Sequence, residues 1–362
     1  MAKASFVQLA HVFDPTKHSI GGWYASEKLD GNRMIWDGGT TRGLLKDEVP
    51  FANMVRDVTP NQICTGLWSR YGNVIHAPDW WLDMLPECIL DGEAWCGIGN
   101  FQDVSSIVRT GRENCNPEDW KKVTYRLFGA PTPDQLMAPR YIDETNFPNK
   151  NITEATRQWF LERFKGFAPR AKVPSFYQTM DFLNLRIVQN EVVIVHQQHE
   201  LPFNEAAALE EAKRIYNTVL TRKGEGLIVR NGATTWIPER VYNMLKIKPA
   251  FDAEATVVGY TTGDLTDKGS KLLGKMGAAI CELPSGGLFK VSGFTHAERR
   301  LSGTKDGVSA EEWAIAHPAQ ECPSWITNRT FPVGTVITYE YRELTRDNVP
   351  KEARYLRKPT TV

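Results

Sequence analysis

A lysine stands at the head of a short segment whose residue types could perform phosphoryl chemistry. The segment reads Lys28-Leu29-Asp30-Gly31-Asn32-Arg33. A lysine amine attacks phosphorus only after it loses its proton, which requires desolvation or neighbouring positive charge. Gly31 permits a close backbone approach that a side chain would block. We therefore interpret Lys28 as a nucleophile, although the segment alone could equally be a solvated, charged turn.

Two carboxylates occur in separate segments that each combine acidic and apolar residues. Glu93 follows Leu90-Asp91-Gly92, and Glu225 opens the run Gly226-Leu227-Ile228-Val229. A hard cation such as Mg²⁺ prefers carboxylate oxygen and usually retains several waters. The two carboxylates could converge on one cation, or one of them could hold a ribose. The sequence therefore predicts a site for Mg²⁺ (or Mn²⁺) at Glu93 and Glu225, with Asp91 mainly structural.

A pair of lysines lies on a predicted strand, Tyr242 to Lys248. Lys246 and Lys248 alternate, so both point to one face of the strand. Two ammonium groups in a row suit a triphosphate and the charge that develops during phosphoryl transfer. They would also provide the positive charge that Lys28 needs. Leu245 and Ile247 point the other way, which indicates that the opposite face of the strand is buried.

These segments and others occur in an order that resembles the covalent nucleotidyltransferase superfamily, and within it the small ATP-dependent DNA ligases of phages and bacteria. The resemblance extends from about Trp23 to about Arg357. It implies sealing of 5′-phosphate/3′-OH nicks in duplex DNA through a Lys28–AMP intermediate and an adenylylated DNA end. In chain order, the matching blocks are Lys28-Leu29-Asp30-Gly31-Asn32-Arg33, Ser69-Arg70-Tyr71-Gly72, Asp91-Gly92-Glu93, Tyr125-Arg126-Leu127-Phe128, Glu225-Gly226-Leu227-Ile228-Val229 and Lys246-Ile247-Lys248.

The resemblance also implies a role for each matching residue. Arg33 would hold the ribose or phosphates, Ser26 would lie at the adenine edge, and Phe128 would stack on adenine. Many relatives have Asp after that aromatic residue, whereas this chain has Gly129. The predicted catalytic residues are Lys28, Asp30, Lys246 and Lys248. The predicted nucleotide-binding residues are Ser26, Glu27, Lys28, Arg33, Arg70, Glu93, Phe128, Glu225, Lys246 and Lys248.

The expected fold class is α+β, with a nucleotidyltransferase (ATP-grasp-like) adenylylation domain built on antiparallel sheets and a C-terminal OB-fold β-barrel. We place the domains at 1–248 and 249–362, with Pro249 in the connector, because only short β segments separated by Gly-rich turns follow. Those segments are Ala255–Tyr260, Ala278–Leu283, Leu288–Val291 and Thr335–Tyr341. The elements predicted before the boundary include strands Trp23–Lys28, Arg33–Trp36 and Glu225–Arg230, a strand that ends near Leu90, and helices Thr153–Lys165 and Asn204–Lys223.

Composition agrees with a soluble two-domain protein but does not by itself indicate a nucleic-acid partner. The 362 residues include 43 basic and 43 acidic side chains, so a nicked duplex DNA partner requires the basic residues to be segregated. Candidates for the DNA backbone are Lys268, Lys271, Lys275, Lys290 and the tail from Arg342 to Lys358. Acidic residues are interleaved with these, so a mixed solvated surface remains an alternative.

The first residues include no long apolar run, so we expect no signal peptide, and no run of about 18 apolar residues occurs. Its six cysteines show no C-x-x-C spacing, which favours free thiols in a reducing compartment. We expect a monomer in the cytoplasm of a bacterium or of a phage-infected cell, with no membrane partner. The pair His196 and His199 lacks a third ligand, and we do not interpret it as a metal site.

Several alternatives remain open at this point. An RNA ligase or an mRNA capping guanylyltransferase would share the Lys28 chemistry. The segment Glu352-Ala353-Arg354-Tyr355-Leu356-Arg357 resembles the end of small ligases, and no clear R-x-D-K box of the capping enzymes is present. Which residue orients the leaving pyrophosphate therefore stays open. A non-catalytic nick-binding OB protein would not need all five charged residues Lys28, Glu93, Glu225, Lys246 and Lys248.

Overall fold

The computed structural model describes residues 5–52, 62–142, 151–249, 251–265, 270–283, 286–345 and 347–358. The chain divides into two compact units, Met1–Ile247 and Lys248–Val362. Of the basic residues considered for DNA contact, Lys268 and Arg346 lie outside the described residues. No helix in the described ranges combines the length and the apolar character needed to cross a membrane.

The first unit alternates short helices with strands that form two main sheets. Its strands are β1 (Leu9–Val12), β2 (Tyr24–Glu27), β3 (Asn32–Asp37), β4 (Leu67–Ser69), β5 (Ile89–Trp95), β6 (Thr124–Gly129), β7 (Arg140–Tyr141), β8 (Asn151–Ile152), β9 (Val193–Val195), β10 (His199–Glu200), β11 (Leu227–Arg230) and β12 (Arg240–Ile247). Its α-helices are α1 (Asp79–Leu82), α2 (Phe101–Arg109), α3 (Pro133–Leu136), α4 (Glu154–Arg163), α5 (Phe176–Arg186) and α6 (Glu205–Thr221), with 3₁₀ turns at Lys46–Glu48, Arg112–Asn114 and Asp119–Lys122.

The first sheet has the strand order β1-β12-β11-β2-β10. One of its faces packs on α6, and the buried cluster between them includes Ala25, Val229 and Leu245. The predicted buried face of β12 is thus confirmed. Helix α6 begins where expected, because the Asn204 side chain accepts a hydrogen bond of 3.0 Å from the backbone N–H of Ala207.

The second sheet has the order β4-β3-β5-β6-β9. Along β3, Met34 and Trp36 point into a core shared with α1, α2 and α5, whereas Arg33 points to the opposite face. The prediction that a strand ends near Leu90 is wrong, since β5 starts at Ile89 and continues to Trp95. Asp91 and Glu93 therefore lie inside a central strand. Gly92, between them, leaves room for the Tyr125 ring, because a Cβ at Gly92 would lie 2.8 Å from that ring.

The second unit is a small barrel. Its strands are β13 (Phe251–Thr262), β14 (Met276–Glu282), β15 (Leu288–Val291), β16 (Leu301–Ser302), β17 (Thr304–Lys305), β18 (Val308–Ser309), β19 (Thr327–Asn328), β20 (Val336–Tyr341), β21 (Glu343–Leu344), β22 (Pro350–Lys351) and β23 (Arg354–Arg357), with helix α7 at Ala310–Ala316. The main sheet has the order β15-β14-β13-β20-β23 and antiparallel neighbours. It closes through a parallel bridge between Ser292 and Arg354, where Ser292 N donates to Ala353 O at 3.1 Å and Tyr355 N donates to Ser292 O at 2.7 Å.

The α+β class is confirmed, with sheets that are mainly antiparallel. Two edge pairings are exceptions, since β1 pairs with β12 and β9 pairs with β6 in parallel. All six cysteines are free thiols. The fold thus provides two sheets in the first unit whose facing sides are available to position polar side chains.

Candidate active site

Lys28 lies in the loop that connects the first sheet to the second. Its backbone N–H donates to Gly226 O at 2.8 Å, which extends the β2–β11 ladder by one residue beyond the strand. Its Nζ forms an ion pair with the carboxylate of Glu225, which precedes β11. The side chains of Lys28 and Glu225 are 22% and 18% exposed, so the pair is largely, but not fully, shielded from solvent.

Glu93 is brought beside this ion pair by the close packing of β5 on the Lys28 loop. A Cβ at Gly31 would lie 2.2 Å from Ala94 O and 2.8 Å from Glu93 Cγ, so only glycine allows this approach. Burial raises the pKa of Glu93 to about 7, and the nearby charges of Glu225 and Asp91 act in the same direction. The positive charges of Arg33 and Lys28 oppose that rise. The two predicted metal-binding carboxylates therefore share one electrostatic environment with the predicted nucleophile.

The donor set suits the hard cation that the sequence predicts. Within the described ranges, no group of three or more His, Cys, Asp or Glu side chains is placed to hold a metal ion. Mg²⁺ does not require such a cage, because it commonly binds through one or two carboxylates and completes its shell with waters and substrate phosphates. Glu93 and Glu225 fit that mode of binding.

Arg33 is held by a buried carboxylate rather than left in solvent. Its guanidinium forms a fork with Asp91, with 2.6 Å between Nη2 and Oδ2. Asp91 is fully buried and also accepts a hydrogen bond of 2.7 Å from Trp236 Nε1. This supports the mainly structural interpretation of Asp91. It also fixes the Arg33 side chain in place beside the Glu93 carboxylate.

Phe128 sits at an irregularity of β6 next to this network. The pairing with β5 shifts between Gly92↔Leu127 and Asp91↔Gly129, so Phe128 is the extra residue of a β-bulge. Its ring is 4.6 Å from the Arg33 guanidinium carbon. A Cβ at Gly129 would lie 3.1 Å from the Cβ of Asp91, so a larger residue there would require a small shift of Asp91.

A row of side chains crosses the first sheet on the face opposite α6. The register places Ser26, Ile228 and Lys246 next to one another on β2, β11 and β12. Ser26 is buried, whereas Lys246 is half-buried. Because Lys28 continues the same face two residues beyond Ser26, the row leads to the predicted nucleophile. Lys248 follows β12 by one residue and is the first residue of the second unit.

Two predicted site residues, Glu27 and Arg70, have side chains with contacts outside this cluster. The Glu27 side chain points away from Ser26 and Lys28 and lies 3.3 Å from Arg222. Arg70 is exposed, and its guanidinium carbon is 4.5 Å from the centre of the Tyr71 ring. Among the described residues, no contact joins Arg70 to Lys28, Glu93 or Glu225. Asp30 is half-buried in the loop after Lys28.

Two residues near the site were not found from the sequence. Arg230 is buried, donates to Phe128 O at 3.0 Å, and stacks on Phe176 at 4.5 Å. Burial lowers the pKa of its guanidinium to about 10. Arg230 lies two residues after Ile228 on β11, so both side chains point to the same face, toward the second sheet. This spacing can be read from the sequence. Trp236, the other residue, gives no comparable signal, because its contact with Asp91 depends on tertiary structure.

Comparisons with known proteins agree with this arrangement. Residues 268–358 match the family model for the DNA ligase OB-like domain. A DNA ligase of Haemophilus influenzae is 22% identical over 353 residues, which cover 98% of this chain and 92% of that protein. A structure from a structure–function study of Lig E DNA ligases, 23% identical, superposes with a TM-score of 0.60 over 98% of both chains. A second chain, Pmar-Lig_Pre, is 16% identical with a TM-score of 0.58, covering 98% of this chain and 67% of that one.

The resemblance inferred from the ordered motifs is therefore confirmed by evidence that does not depend on them. The family model covers the part of the barrel that follows β13, and the likeness in fold to the Lig E structure extends to the sheets that hold Lys28 and Glu93. The chain has the nucleotidyltransferase-plus-OB fold seen in DNA ligases, and its residues 268–358 match the DNA ligase OB-like domain family.

Proposed function

We propose that this protein is an ATP-dependent DNA ligase that seals 5′-phosphate/3′-OH nicks in duplex DNA. The Lys28 amine attacks the α-phosphate of ATP, and pyrophosphate leaves. The 5′-phosphate of the nick then takes AMP from Lys28. Finally, the neighbouring 3′-OH attacks the activated phosphate, and AMP leaves. All three steps are transfers at phosphorus, for which positioning and charge stabilisation are the protein's main contributions.

One observation carries this proposal. The Lys28 amine contacts Glu225 and lies in the same electrostatic environment as Glu93 and Arg33, although these residues come from three distant parts of the chain. A solvated surface lysine would not be expected in such a cluster. A partly buried lysine in contact with carboxylates from distant segments is instead typical of a functional site.

The neighbouring side chains have distinct tasks in this scheme. Ser26 and Ile228 line the place for the adenine, and the Phe128 ring stacks on its face. Arg33, fixed by Asp91, presents its remaining N–H groups to the ribose or phosphates. Lys246 and Lys248 stabilise the negative charge that develops on the phosphate oxygens.

Glu93 and Glu225 would hold Mg²⁺, which when bound neutralises charge on the reacting phosphate. Glu225 would have a second task, because its carboxylate contacts the Lys28 amine and can hold it in place within the site.

The second unit provides exposed basic residues that suit a duplex backbone. These include Lys271, Lys290, Lys351, Arg354 and Lys358. Acidic residues lie among the basic ones, since Arg342 lies 2.9 Å from Glu340 and Arg357 lies 4.0 Å from Asp252. We propose that exposed basic residues of this unit contact phosphates of nicked DNA, and that the protein acts as a monomer in the cytosol of a bacterium or an infected cell.

A two-stage labelling experiment tests the proposal. The protein is incubated with α-labelled ATP or GTP and Mg²⁺, and covalent label is read on a denaturing gel. Nicked duplex DNA or a nicked RNA duplex is then added, and sealed product is measured. We expect label from ATP, transfer to DNA and sealing of DNA. Label from GTP alone would indicate a capping enzyme, sealing of RNA alone an RNA ligase, and absence of covalent label a binding protein.

A further inference from the structure

His196 lies at the point where the two sheets of the first unit are joined by a short loop. Residues 196–198 connect β9, an edge strand of the second sheet, to β10, an edge strand of the first sheet. The sequence offers His196 only as half of a His pair without a third ligand. In the structure it has a different set of contacts, which are directed at the backbone on both sides of the junction.

Two hydrogen bonds connect His196 to both sheets. Its backbone N–H donates to Leu127 O at 2.7 Å, which holds it against β6 of the second sheet. Its ring Nε2 lies 2.8 Å from Glu27 O, at the end of β2 in the first sheet. A carbonyl oxygen can only accept, so Nε2 carries the proton and donates. Burial lowers the pKa of His196, which agrees with a neutral ring in this tautomer.

The Glu27 carbonyl belongs to the peptide group that joins Glu27 to Lys28. The N–H of that same peptide group donates to Gly226 O at 2.8 Å. Both hydrogen-bonding groups of the peptide are therefore fixed, one by His196 and the other by β11. Fixing a peptide plane restricts the rotation that sets the direction of the following Cα–Cβ bond. The contact consequently controls where the Lys28 side chain points.

A metal-binding role for His196 is not supported by these contacts. Its Nε2 is directed at Glu27 O, and His199 is exposed on β10. His199 pairs with Ala25 through its backbone, as an ordinary strand residue does. The two histidines thus differ in burial and in contacts although they are three positions apart, and His199 provides a matched control.

We propose that His196 is a positioning residue for the nucleophile: it orients Lys28 by holding the Glu27–Lys28 peptide group through its Nε2–H. The proposal rests on the proposed function, since it assigns His196 to the two steps that form and consume Lys28–AMP. Attack of the 3′-OH on an already adenylylated 5′-phosphate does not use the Lys28 amine. That last step should therefore be insensitive to His196.

The test compares His196→Gln, His196→Asn and His196→Ala with the control His199→Gln in the full-length protein. A Gln side-chain amide N–H can reach the position of the imidazole Nε2–H, whereas the shorter Asn amide cannot. Single-turnover labelling of Lys28 by α-labelled ATP is measured over a range of ATP concentrations. Sealing of a pre-adenylylated nick is measured with the same preparations, and thermal midpoints establish that each variant is folded.

We expect Ala and Asn at position 196 to lower the labelling rate at saturating ATP roughly ten- to a hundredfold, because small misplacements of a reacting group are costly. The ATP concentration at half-saturation should stay near that of the wild type, since His196 contacts backbone and not nucleotide. Gln should restore most of the rate, and His199→Gln should behave as wild type. Sealing of the pre-adenylylated nick should be retained in all variants.

Three results would overturn the inference. The first is a wild-type labelling rate in both His196→Ala and His196→Asn. The second is an equal loss of labelling rate in the Gln and Asn variants. The third is a loss of pre-adenylylated nick sealing that parallels the loss of labelling. A wild-type protein that takes no label at all would instead refute the proposed function, and the inference with it. The wild-type lane of the same gel therefore separates the two failures.

Discussion

The Lys28 ammonium and the Glu225 carboxylate, 197 positions apart in the chain, form an ion pair in the structure. The pair joins the loop after β2 to the residues before β11. Both side chains are largely shielded from solvent, so the contact brings the predicted nucleophile and a predicted metal-binding carboxylate together at one partly buried position.

Lys28→Ala should abolish covalent labelling by α-labelled ATP and the sealing of a standard nick, because the acceptor nitrogen is gone. The variant should still seal a pre-adenylylated nick, since that step does not need the amine. Denaturing gels of both reactions provide the measurement. Lys17→Ala, at an exposed surface pair with Asp14, is the matched control and should label normally. Normal labelling of Lys28→Ala would rule out Lys28 as the acceptor.

Glu225→Ala should fold normally but adenylylate poorly. Loss of one charged group that stabilises phosphoryl transfer costs roughly 10²–10³ in rate. Single-turnover labelling measures this loss, and Glu210→Ala, an exposed position on α6, is the control. A labelling rate equal to that of Glu210→Ala would remove Glu225 from the active site.

Lys248→Ala should show a loss of similar size, roughly 10²–10³ in labelling rate, because a cation that offsets charge on the triphosphate is removed. Lys213→Ala, another exposed lysine of α6, controls for the change in net charge. The proposal for Lys248 fails if its variant and the control label equally fast.

A fragment of residues 1–248 should fold but seal nicks very poorly. The first unit ends at Ile247, and the closed barrel of the second unit carries many exposed basic residues. Losing these contacts should weaken binding to nicked duplex and flatten its salt dependence, because fewer counterions are released. Binding is measured at two salt concentrations, and equal affinity with an equal salt slope would show that the barrel does not clamp DNA.

Asp37 should make stability depend on pH. Burial raises the pKa of this fully buried carboxyl from 3.8 to about 6, against the opposing hydrogen bonds from Thr41 and Trp68. The folded state then holds the proton more tightly than the unfolded state. The free energy of unfolding should therefore fall by roughly 3 kcal/mol as pH rises from about 4 to about 6, and should not change further from this group above that range.

Asp37→Asn has no titrating carboxyl and is the reference for this effect. Urea unfolding of wild type and variant at pH 4.5 and pH 7 provides the comparison. The wild type should lose more stability than the variant between those values. A parallel change in both proteins would mean that Asp37 is ionised throughout.

Sequence reasoning identified Lys28, Glu93 and Glu225 because each stands in a short segment of recognisable composition. It also predicted that one face of β12 carries lysine and the other apolar side chains, because side chains alternate between the two faces along any strand. It failed where geometry depends on distant chain segments. Trp236 reaches Asp91 across 145 positions, and no local pattern predicts that contact.

Glu27 shows a different limitation. Its place among the nucleotide-binding residues stays a prediction, and its side chain lies 3.3 Å from Arg222. The role that we propose at this position belongs to the Glu27 carbonyl, which is the same in every residue type. The residue type at position 27 cannot indicate a role of its backbone. The hydrogen bond between His196 and Glu27 O could therefore be found only from the three-dimensional structure.

The parallel pairing of β1 with β12 has a consequence for how the protein is made. Leu9 lies opposite Arg240, and Val12 lies opposite Lys246, so the first sheet joins the two extremes of its unit. A ribosome must therefore release about the whole unit before that sheet can close. Pairings so distant in sequence form slowly, because a large loop must be ordered first. A nascent chain that already carries Lys28 should remain unable to react with nucleotide until its last strand has emerged.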